Sequence, residues 1–386
     1  SGETSRFLYF LSQIKVVVHY YLLKLFLPFN LNFEPDIRLP SGFIDGQLIC
    51  AIGILAVGAI IVPRQKSPIL IFAVLWFFIT LFPSSSFIPL KQIVTEHRTY
   101  LPGLGFSLAL GWLFLNAPSV RALATGLLLA FLSLNFLLTV NRSLDYRSEI
   151  ILWKDTVEKS PNKALVHNNL ASAYMESEML EEAKEELGIT LQLNPAQSDA
   201  YANLGHIHFR QKHWEQAIEE FGHAIALGSN KPDTYYFTGL AQSKQKAYGE
   251  AIPFLQKAVR LRSHKASYHF YLGNAFRHLG SFDEALQEFR RTLEIQPMHS
   301  QAQNNIGVIF WNLKAYERAE VEFNKALDIQ QNLPEIHQNL ATLHLKNNRY
   351  ANAIPHLDQV LKLQPGNTTA QKLLDHALGQ MKKGPS

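Results

Sequence analysis

Asparagine recurs at one fixed position of a repeating pattern in the second half of the chain. Counted in blocks of thirty-four residues, it stands two places before a small residue at Asn169, Asn203, Asn305 and Asn339. A carboxamide offers two donor hydrogens and one acceptor oxygen, so it can pair with a peptide backbone whatever side chains that peptide carries. The row therefore predicts a surface that binds a protein or an extended peptide. The alternative is that asparagine is simply common at an exposed position of this pattern.

Two blocks carry aromatic residues where the others carry asparagine. Phe237 and Tyr271 occupy that position, and Tyr236 and Phe270 immediately precede them. We expect the predicted binding surface to be a groove, and these four rings to form an aromatic band in its middle. Together with the four asparagines, they are the candidate partner-binding residues.

A polar segment in the first third of the chain could bind a lipid head group. It contains His97, Arg98 and Tyr100, shortly before an apolar stretch. A guanidinium group pairs with phosphate oxygens in a fork, so Arg98 could grip a lipid phosphate or diphosphate. Arg and Tyr are also common interfacial anchors of membrane helices, and both interpretations stay open.

The asparagines and aromatic residues must be positioned by six consecutive blocks, which run from 164 to 367 without an insertion. In the second half of each block an alanine precedes a large apolar residue by four places: Ala183 and Leu187, Ala217 and Phe221, Ala251 and Leu255, Ala285 and Phe289, Ala319 and Phe323, Ala353 and Leu357. A small and a large residue then share one helix face, so neighbouring helices can interlock. These residues resemble the tetratricopeptide repeat, which implies stacked helical hairpins whose function lies on a surface.

Fifteen histidines raise the question of a metal site. His167, His269 and His337 fall where the resemblance implies a bulky aromatic residue, and His208 and His344 fall where it implies tyrosine. Ligand spacing such as His-Glu-x-x-His is missing, so we predict packed side chains and no metal ligands. No phosphate-binding glycine loop or nucleophile elbow is visible either. We therefore predict no catalytic residue and no cofactor in the repeats.

The N-terminal part is apolar and predicts a membrane domain. Four stretches are candidate transmembrane helices, at 47–62, 69–82, 104–116 and 120–140. A fifth, 7–29, is interrupted by Lys15, His19 and Lys24, and it either spans or lies along the interface. The short connections carry Arg64, Lys66 and Arg121, so the positive-inside rule puts them in the cytoplasm. Counting spans then puts the repeats on the outer side, in the periplasm of a bacterial inner-membrane protein or in the lumen if the protein is eukaryotic.

The predicted fold class is all-α, with N-terminal transmembrane helices followed by a tetratricopeptide α-solenoid. We predict a membrane domain at 1–146, a degenerate half-repeat at 147–163, six full repeats at 164–367, and a capping helix with a tail at 368–386. The net charge of +4 is too small and too scattered to predict nucleic-acid binding.

A second resemblance covers nearly the whole chain. The loop at 95–105, the segment 18–28 and the segment 152–162 look like the C-terminal part of membrane O-mannosyltransferase-like proteins of the glycosyltransferase C superfamily. That resemblance implies a polyprenyl-phosphate sugar as donor, with contact at His97 and Arg98. It also implies an acidic catalytic loop that we do not expect in this chain. Glu34 and Asp36 match a later loop, so no catalytic role is assigned to them.

Three hypotheses follow for function. The first is a membrane-anchored scaffold whose groove holds a protein or peptide, and we favour it for this chain. The second is the acceptor-binding portion of a protein O-glycosyltransferase that uses a polyprenyl-phosphate sugar. The third is an assembly factor or structural subunit bound permanently within a larger membrane complex.

Overall fold

All regular structure in the described residues is helical. The structure is a computed structural model, and it describes residues 6–26, 31–33, 35, 45–81, 100–116 and 121–382. The chain divides into two compact units, Ser1–Pro195 and Ala196–Ser386. The all-α class is confirmed for this part of the chain, whereas the predicted boundaries at 146, 163 and 367 stay predictions.

The first unit begins with apolar helices. α1, Arg6–Val16, continues through a π-helical turn, Val17–Leu22, into α2, Leu23–Phe26. The next helices are α3, Gly46–Arg64, α4, Pro68–Leu81, α5, Tyr100–Leu115, and α6, Arg121–Asp145.

Among the described helices, α3 is long and apolar enough to cross a bilayer, judged by length and composition. The other predicted spans contain shorter apolar helices, at Pro68–Leu81, Leu101–Phe114 and Leu129–Leu138. α3 also leaves large apolar side chains about half exposed, among them Ile49, Val57 and Ile60. The four predicted transmembrane helices therefore stay a prediction, which the length of α3 supports for the first of them.

Two of the polar residues that interrupt the first apolar stretch have partners in the structure. The ammonium group of Lys15 lies 3.3 Å from the carboxylate of Asp45. His19 Nε2 lies 2.8 Å from the backbone carbonyl of Gln47. Both partners stand at the N-terminal end of α3, where Asp45 also accepts a hydrogen bond from the Leu48 amide. These polar groups are thus level with the start of α3 rather than with its middle, where an unpaired charge is costly.

A short helix joins the apolar helices to the first hairpin of the repeats. This helix, α7, Glu149–Lys159, packs on α8, Ala164–Glu176, which forms a hairpin with α9, Leu180–Leu193. Asn32 donates a hydrogen bond of 2.8 Å from Nδ2 to Ser160 Oγ. The ring of Phe33 meets that of Trp153 edge-on, with centroids 5.3 Å apart. The segment that follows the first apolar helix is therefore bonded directly to the helix that precedes the repeats.

The second unit continues the series of helical hairpins. Each hairpin pairs two helices of similar length, and the described residues end in one further helix. The pairs are α10, Ser198–Arg210, and α11, Trp214–Ala226; α12, Pro232–Lys244, and α13, Tyr248–Leu261; α14, Ala266–His278, and α15, Phe282–Ile295; α16, Ser300–Asn312, and α17, Tyr316–Ile329; α18, Pro334–Lys346, and α19, Tyr350–Leu363. The final helix α20, Thr368–Lys382, packs on α19 and buries Ala370 and Leu374 against it.

The turn inside each hairpin contains one residue in the left-handed conformation, and these residues are thirty-four apart: Glu178, Lys212, Lys246, Gly280, Lys314 and Asn348. Glycine adopts positive φ readily, whereas other residues pay a steric cost for it. Only Gly280 follows that preference, so the helix packing around the other turns must supply the energy that holds them.

A small residue faces a large one between the two helices of a hairpin. A Cβ atom added to Gly205 would lie 2.6 Å from the ring of Phe221, and one added to Gly307 would lie 2.6 Å from the ring of Phe323. The first and last hairpins instead pair a buried alanine with a buried leucine: Ala171 with Leu187, and Ala341 with Leu357. Gly239 likewise faces Leu255, whose Cγ would lie 2.7 Å from an added Cβ. Glycine is therefore needed at these positions because the facing side chain, a phenylalanine ring or a leucine, fills the space that a methyl group would take.

We expect Gly205→Ala to lower the free energy of unfolding of the second unit by about 1–3 kcal/mol, because the new methyl group would overlap the Phe221 ring. Gly222→Ala is the matched control, since Gly222 lies inside α11 and an added Cβ would meet nothing within 4 Å. This second change should raise stability by roughly 0.5–1 kcal/mol, because alanine favours the helix. Urea denaturation followed by far-UV circular dichroism measures both, and effects of equal sign would contradict the packing described here.

Candidate functional site

The first helices of the hairpins form a common surface in the second unit. α10 contacts α12, α12 contacts α14, and α14 contacts α16. Side chains on the contacting side of these helices therefore lie beside those of the neighbouring repeats. We call the surface made by α10, α12, α14, α16 and α18 the first-helix face. Seven of the eight candidate partner-binding residues lie on these helices, and Asn169 lies on α8 of the first unit.

Two of the predicted asparagines bond to asparagines of the preceding repeat. Asn305 Nδ2 lies 2.9 Å from Asn274 Oδ1, and Asn339 Nδ2 lies 2.9 Å from Asn304 Oδ1. Each bond uses one donor hydrogen of the amide and leaves the second hydrogen and the oxygen for another partner. The carboxamides are therefore partly satisfied by one another, and they are held in place before any peptide binds.

The other two predicted asparagines lie nearer the start of the repeats. Asn169 is half-buried on α8, and Asn203 is half-buried on α10. They belong to different units, so the structure places Asn203, but not Asn169, in the same unit as Asn305 and Asn339.

The four predicted aromatic residues lie together in the middle of the first-helix face. Tyr236 contacts Phe237, with ring centroids 5.1 Å apart, and meets Tyr271 edge-on at 5.8 Å. Phe270 meets Tyr271 edge-on at 5.2 Å. Tyr236 also stacks on Tyr268 at 4.7 Å. Because aromatic pairs at these distances attract each other by roughly 0.5–1.5 kcal/mol, the band is a rigid platform.

Phe237 connects the band to the previous hairpin. Its ring meets those of His206 and Phe209 edge-on, at centroid distances of 4.6 and 5.1 Å. Burial lowers the pKa of His206 to about 4, so this imidazole is neutral at pH 7. Burial also raises the pKa of Tyr236, with the neighbouring Tyr271 adding to the effect, so its hydroxyl stays protonated. The centre of the face is thus apolar and uncharged at neutral pH.

A pocket of about 340 Å³ opens beside the aromatic band. Phe270 and Tyr271 form one wall of the pocket, and the amides of Gln301, Asn304 and Asn305 form the next. The lining is completed by Glu335 and Ile336 of α18 and by Leu333, which lies just before that helix. Three of the predicted residues, Phe270, Tyr271 and Asn305, are thereby brought to one cavity.

Acidic residues stand at the N-terminal ends of several first helices. Asp199 lies 2.7 Å from the ammonium group of Lys231. Asp233 accepts a hydrogen bond from the hydroxyl of Tyr268 and lies 3.8 Å from Arg262. These carboxylates are therefore neutralised by cations of the same unit.

The histidines that fall at a fixed place in the first helix are packed inside their hairpins. His167 Nδ1 lies 2.6 Å from Glu186, and His269 Nδ1 lies 2.6 Å from Glu288, each nineteen residues further along. The other ring nitrogen of each lies 2.9 Å from a backbone carbonyl. Burial lowers the pKa of His269, but the hydrogen bonds to Glu288 and to the Ser263 carbonyl, with the negative charge of Glu288, together outweigh burial and raise the pKa. These histidines are structural, as their position in the sequence pattern predicted.

The predicted lipid-phosphate contact falls largely outside the described residues. His97 and Arg98 lie outside them, as do Glu34 and Asp36, and Tyr100 is described only as the first residue of α5. That hypothesis stays a prediction.

Several residues of the site were not selected from the sequence. Asn274 and Asn304 bind the predicted asparagines, and Glu335 lines the pocket. A signal for Glu335 was present, since Asp199 and Asp233 stand at the same position of earlier repeats. Asn274 carried no such signal, because its column of the repeat holds residues of unrelated types.

A family model described as the tetratricopeptide repeat matches residues 168–233, 208–266, 238–297 and 272–334, and a second model of the same description matches 334–367. These matches together cover more than half of the chain.

Curated relatives are protein O-mannosyl-transferases. Mouse Protein O-mannosyl-transferase TMTC3 is 27% identical over 168 residues, which are 42% of this chain and 18% of that protein. Protein O-mannosyl-transferase Tmtc2 of Drosophila melanogaster is 32% identical over 114 residues, 28% of this chain and 12% of that protein. The chain thus matches less than a fifth of the length of these relatives.

Solved structures of repeat proteins are also similar. YrrB, described as a TPR protein with an unusual peptide-binding site, is 26% identical, with a TM-score of 0.46 over 51% of this chain and 97% of that one. PilF of Pseudomonas aeruginosa is 19% identical, with a TM-score of 0.47 over 55% of this chain and 97% of that one.

Proposed function

Since this chain belongs to the tetratricopeptide repeat family, we propose that its first-helix face binds an extended segment of a partner protein. The observation that carries the proposal is the row of carboxamides and aromatic rings on successive first helices. Amide groups can pair with the backbone of a bound segment, and rigid aromatic rings can receive its apolar side chains at a low entropic cost. The pocket of about 340 Å³ beside the rings has room for one such side chain.

The N-terminal helices are proposed to anchor the repeats to a membrane. α3 has the length and composition of a spanning helix, and apolar side chains such as Ile49 and Ile60 are about half exposed on it. A contiguous exposed apolar surface of this kind is typical of a lipid or protein contact. The basic connections at Arg64 and Arg121 favour an outer, periplasmic or lumenal position for the repeats. In this role the protein is a membrane-anchored scaffold.

The peptide-binding function is tested with a display library of random twelve-residue peptides, selected on the purified full chain in mild detergent. We expect the double substitution Asn203→Ala and Asn305→Ala to weaken binding of a selected peptide at least tenfold, because two backbone hydrogen bonds would be lost. Asn324→Ala is the matched control, since Asn324 is exposed on the second helix α17. Fluorescence anisotropy measures the dissociation constants. Unchanged binding by a folded double variant would dismiss the carboxamides as partner contacts.

A second candidate function is favoured by the similarity to protein O-mannosyl-transferases. In this function the repeats hold the acceptor polypeptide of a protein O-glycosyltransferase, and Arg98 and His97 contact the phosphate of a polyprenyl-linked sugar. Copurification separates the two functions. A catalytic partner recovered with the chain, and transfer of sugar from the lipid donor to an acceptor peptide, would support the glycosyltransferase role. Binding without transfer, and without such a partner, would support the scaffold.

A further inference from the structure

The pocket beside the aromatic band differs from the rest of the first-helix face, because it combines aromatic, aliphatic and amide walls. Phe270 and the half-buried Tyr271 offer aromatic surface, and Leu333 and Ile336 offer aliphatic surface. Its volume of about 340 Å³ is near the lower end of small-molecule sites, which range over roughly 300–1,000 Å³. Such a space suits one long side chain.

Glu335 gives this pocket a charge that the neighbouring repeats lack. Asp199 and Asp233, at the same position of earlier repeats, are neutralised by Lys231 and Arg262. Glu335 is exposed in the first turn of α18, and no cation pairs with it among the described residues. An unpaired carboxylate at the rim of a pocket whose other walls are uncharged attracts a cation and repels an anion.

The amides of the pocket add acceptors to that carboxylate. Asn305 lines the pocket and uses one amide hydrogen on Asn274, so its oxygen is still able to accept, and Gln301 is exposed at the pocket wall. An ammonium or guanidinium group needs several acceptors together, and it also interacts favourably with the face of an aromatic ring. A long cationic side chain could therefore lay its aliphatic stem on Leu333 and the Tyr271 ring and direct its head to Glu335.

The geometry points to a lysine or arginine of the bound segment as the residue that this pocket receives. The inference rests on the proposed peptide-binding function, and it adds the chemical class of the residue that is recognised. The partner is thus an extended segment with a basic residue at one required position, flanked by residues whose backbone meets the carboxamides.

The random twelve-residue library provides the test when it is selected in parallel on the full chain and on its Glu335→Gln variant. We expect lysine or arginine to be enriched at one position of the peptides that bind the unsubstituted chain, and this enrichment to be lost with the variant. For a selected peptide, replacing that basic residue by norleucine should raise the dissociation constant about tenfold or more with the unsubstituted chain and less than threefold with Glu335→Gln. Raising the salt concentration should reduce the effect of the norleucine replacement on binding to the unsubstituted chain.

Glu250→Gln is the control, because Glu250 is equally exposed but lies on the second helix α13. It should leave the enrichment unchanged. Since an acidic residue in the first turn stabilises a helix, thermal unfolding of Glu335→Gln is measured beside binding. Selected peptides without a preferred basic position would overturn this inference and leave the peptide-binding function standing. Failure of the library to yield any binder would overturn both.

Discussion

Replacing Phe323 by alanine is expected to lower the free energy of unfolding of the second unit by about 3–5 kcal/mol, the range for truncating a fully buried phenylalanine. Phe323 is 1% exposed, and it shares a core with Ile336 and Leu340 of the next repeat. The truncation therefore leaves a cavity both within its own hairpin and against α18. Urea denaturation followed by far-UV circular dichroism measures the loss.

The matched control is Val321→Ala on the same helix, where the side chain is 52% exposed. It should change stability by less than about 0.5 kcal/mol. Because each repeat contacts mainly its neighbours, hydrogen exchange in Phe323→Ala should rise in α16 to α18 and stay unchanged in α10 and α11. A uniform rise along the whole unit, or a loss below 1 kcal/mol, would contradict this account of the core.

The hairpins and their packing partners could be predicted from the sequence, because both are periodic. Gly205 and Phe221 are sixteen residues apart, as are Gly307 and Phe323, and in both pairs an added methyl group would meet the ring. The period alone aligns such small and large residues in every block. It also predicted the aromatic band, since Tyr236, Phe237, Phe270 and Tyr271 fall in adjacent columns of the repeat.

The bonding of the carboxamides could not be predicted in the same way. Asn305 bonds to Asn274, whereas Asn339 bonds to Asn304, which stands in a different column of the repeat. The partner of each asparagine thus depends on which polar side chain the preceding repeat happens to offer. A pattern that describes one block at a time contains no information about that choice.

The contact between the N-terminal segment and α7 in the first unit could not be predicted from the repeat pattern either. Asn32 and Ser160, which bond to each other, are 128 residues apart in the chain. Asn32 belongs to no periodic segment, and hydrophobic periodicity describes faces of helices rather than contacts between loops. Composition likewise indicated apolar stretches in the N-terminal part but not helix lengths, and among the described helices α3 alone combines the length and the apolar composition of a span.

The last hairpin contains a group of three histidines, and burial stabilises the neutral forms of two of them, His344 and His356. His337 Nδ1 lies 3.0 Å from His356 Nδ1, and the rings of His344 and His356 stack with centroids 5.7 Å apart. His337 Nε2 lies 2.8 Å from the carbonyl of Gln331, so it carries a proton. The two Nδ1 atoms share one hydrogen bond, which requires one of them to accept.

Burial and the neighbouring charged groups shift the pKa values of His344 and His356, and not all of them in the same direction. Burial, followed by His337 and His344, lowers the pKa of His356 to about 4 from an unfolded value of 6.5. Burial also lowers the pKa of His344, where Glu320 of α17 opposes the shift and Arg349 adds to it. Arg349 is bonded to Glu320 through both terminal nitrogens, at 3.1 and 2.6 Å, so the carboxylate is already neutralised and cannot stabilise a second cation fully.

We therefore expect the second unit to lose stability as the pH falls from 6.5 towards 4. A folded-state pKa below the unfolded value means that the unfolded chain binds more protons in this window, so the stabilising contribution is complete above pH 6.5 and is lost below it. For His356 the loss at pH 4.5 is roughly 1–2 kcal/mol, after allowance for the part of the ring that water reaches.

His356→Gln can still donate to His337 but does not titrate, so its unfolding free energy should fall less between pH 7 and 4.5. Carboxylates also titrate in this range, but they contribute equally to both proteins and therefore drop out of the difference in unfolding free energy. Identical pH profiles would show that His356 is not neutral in the folded protein at pH 4.5.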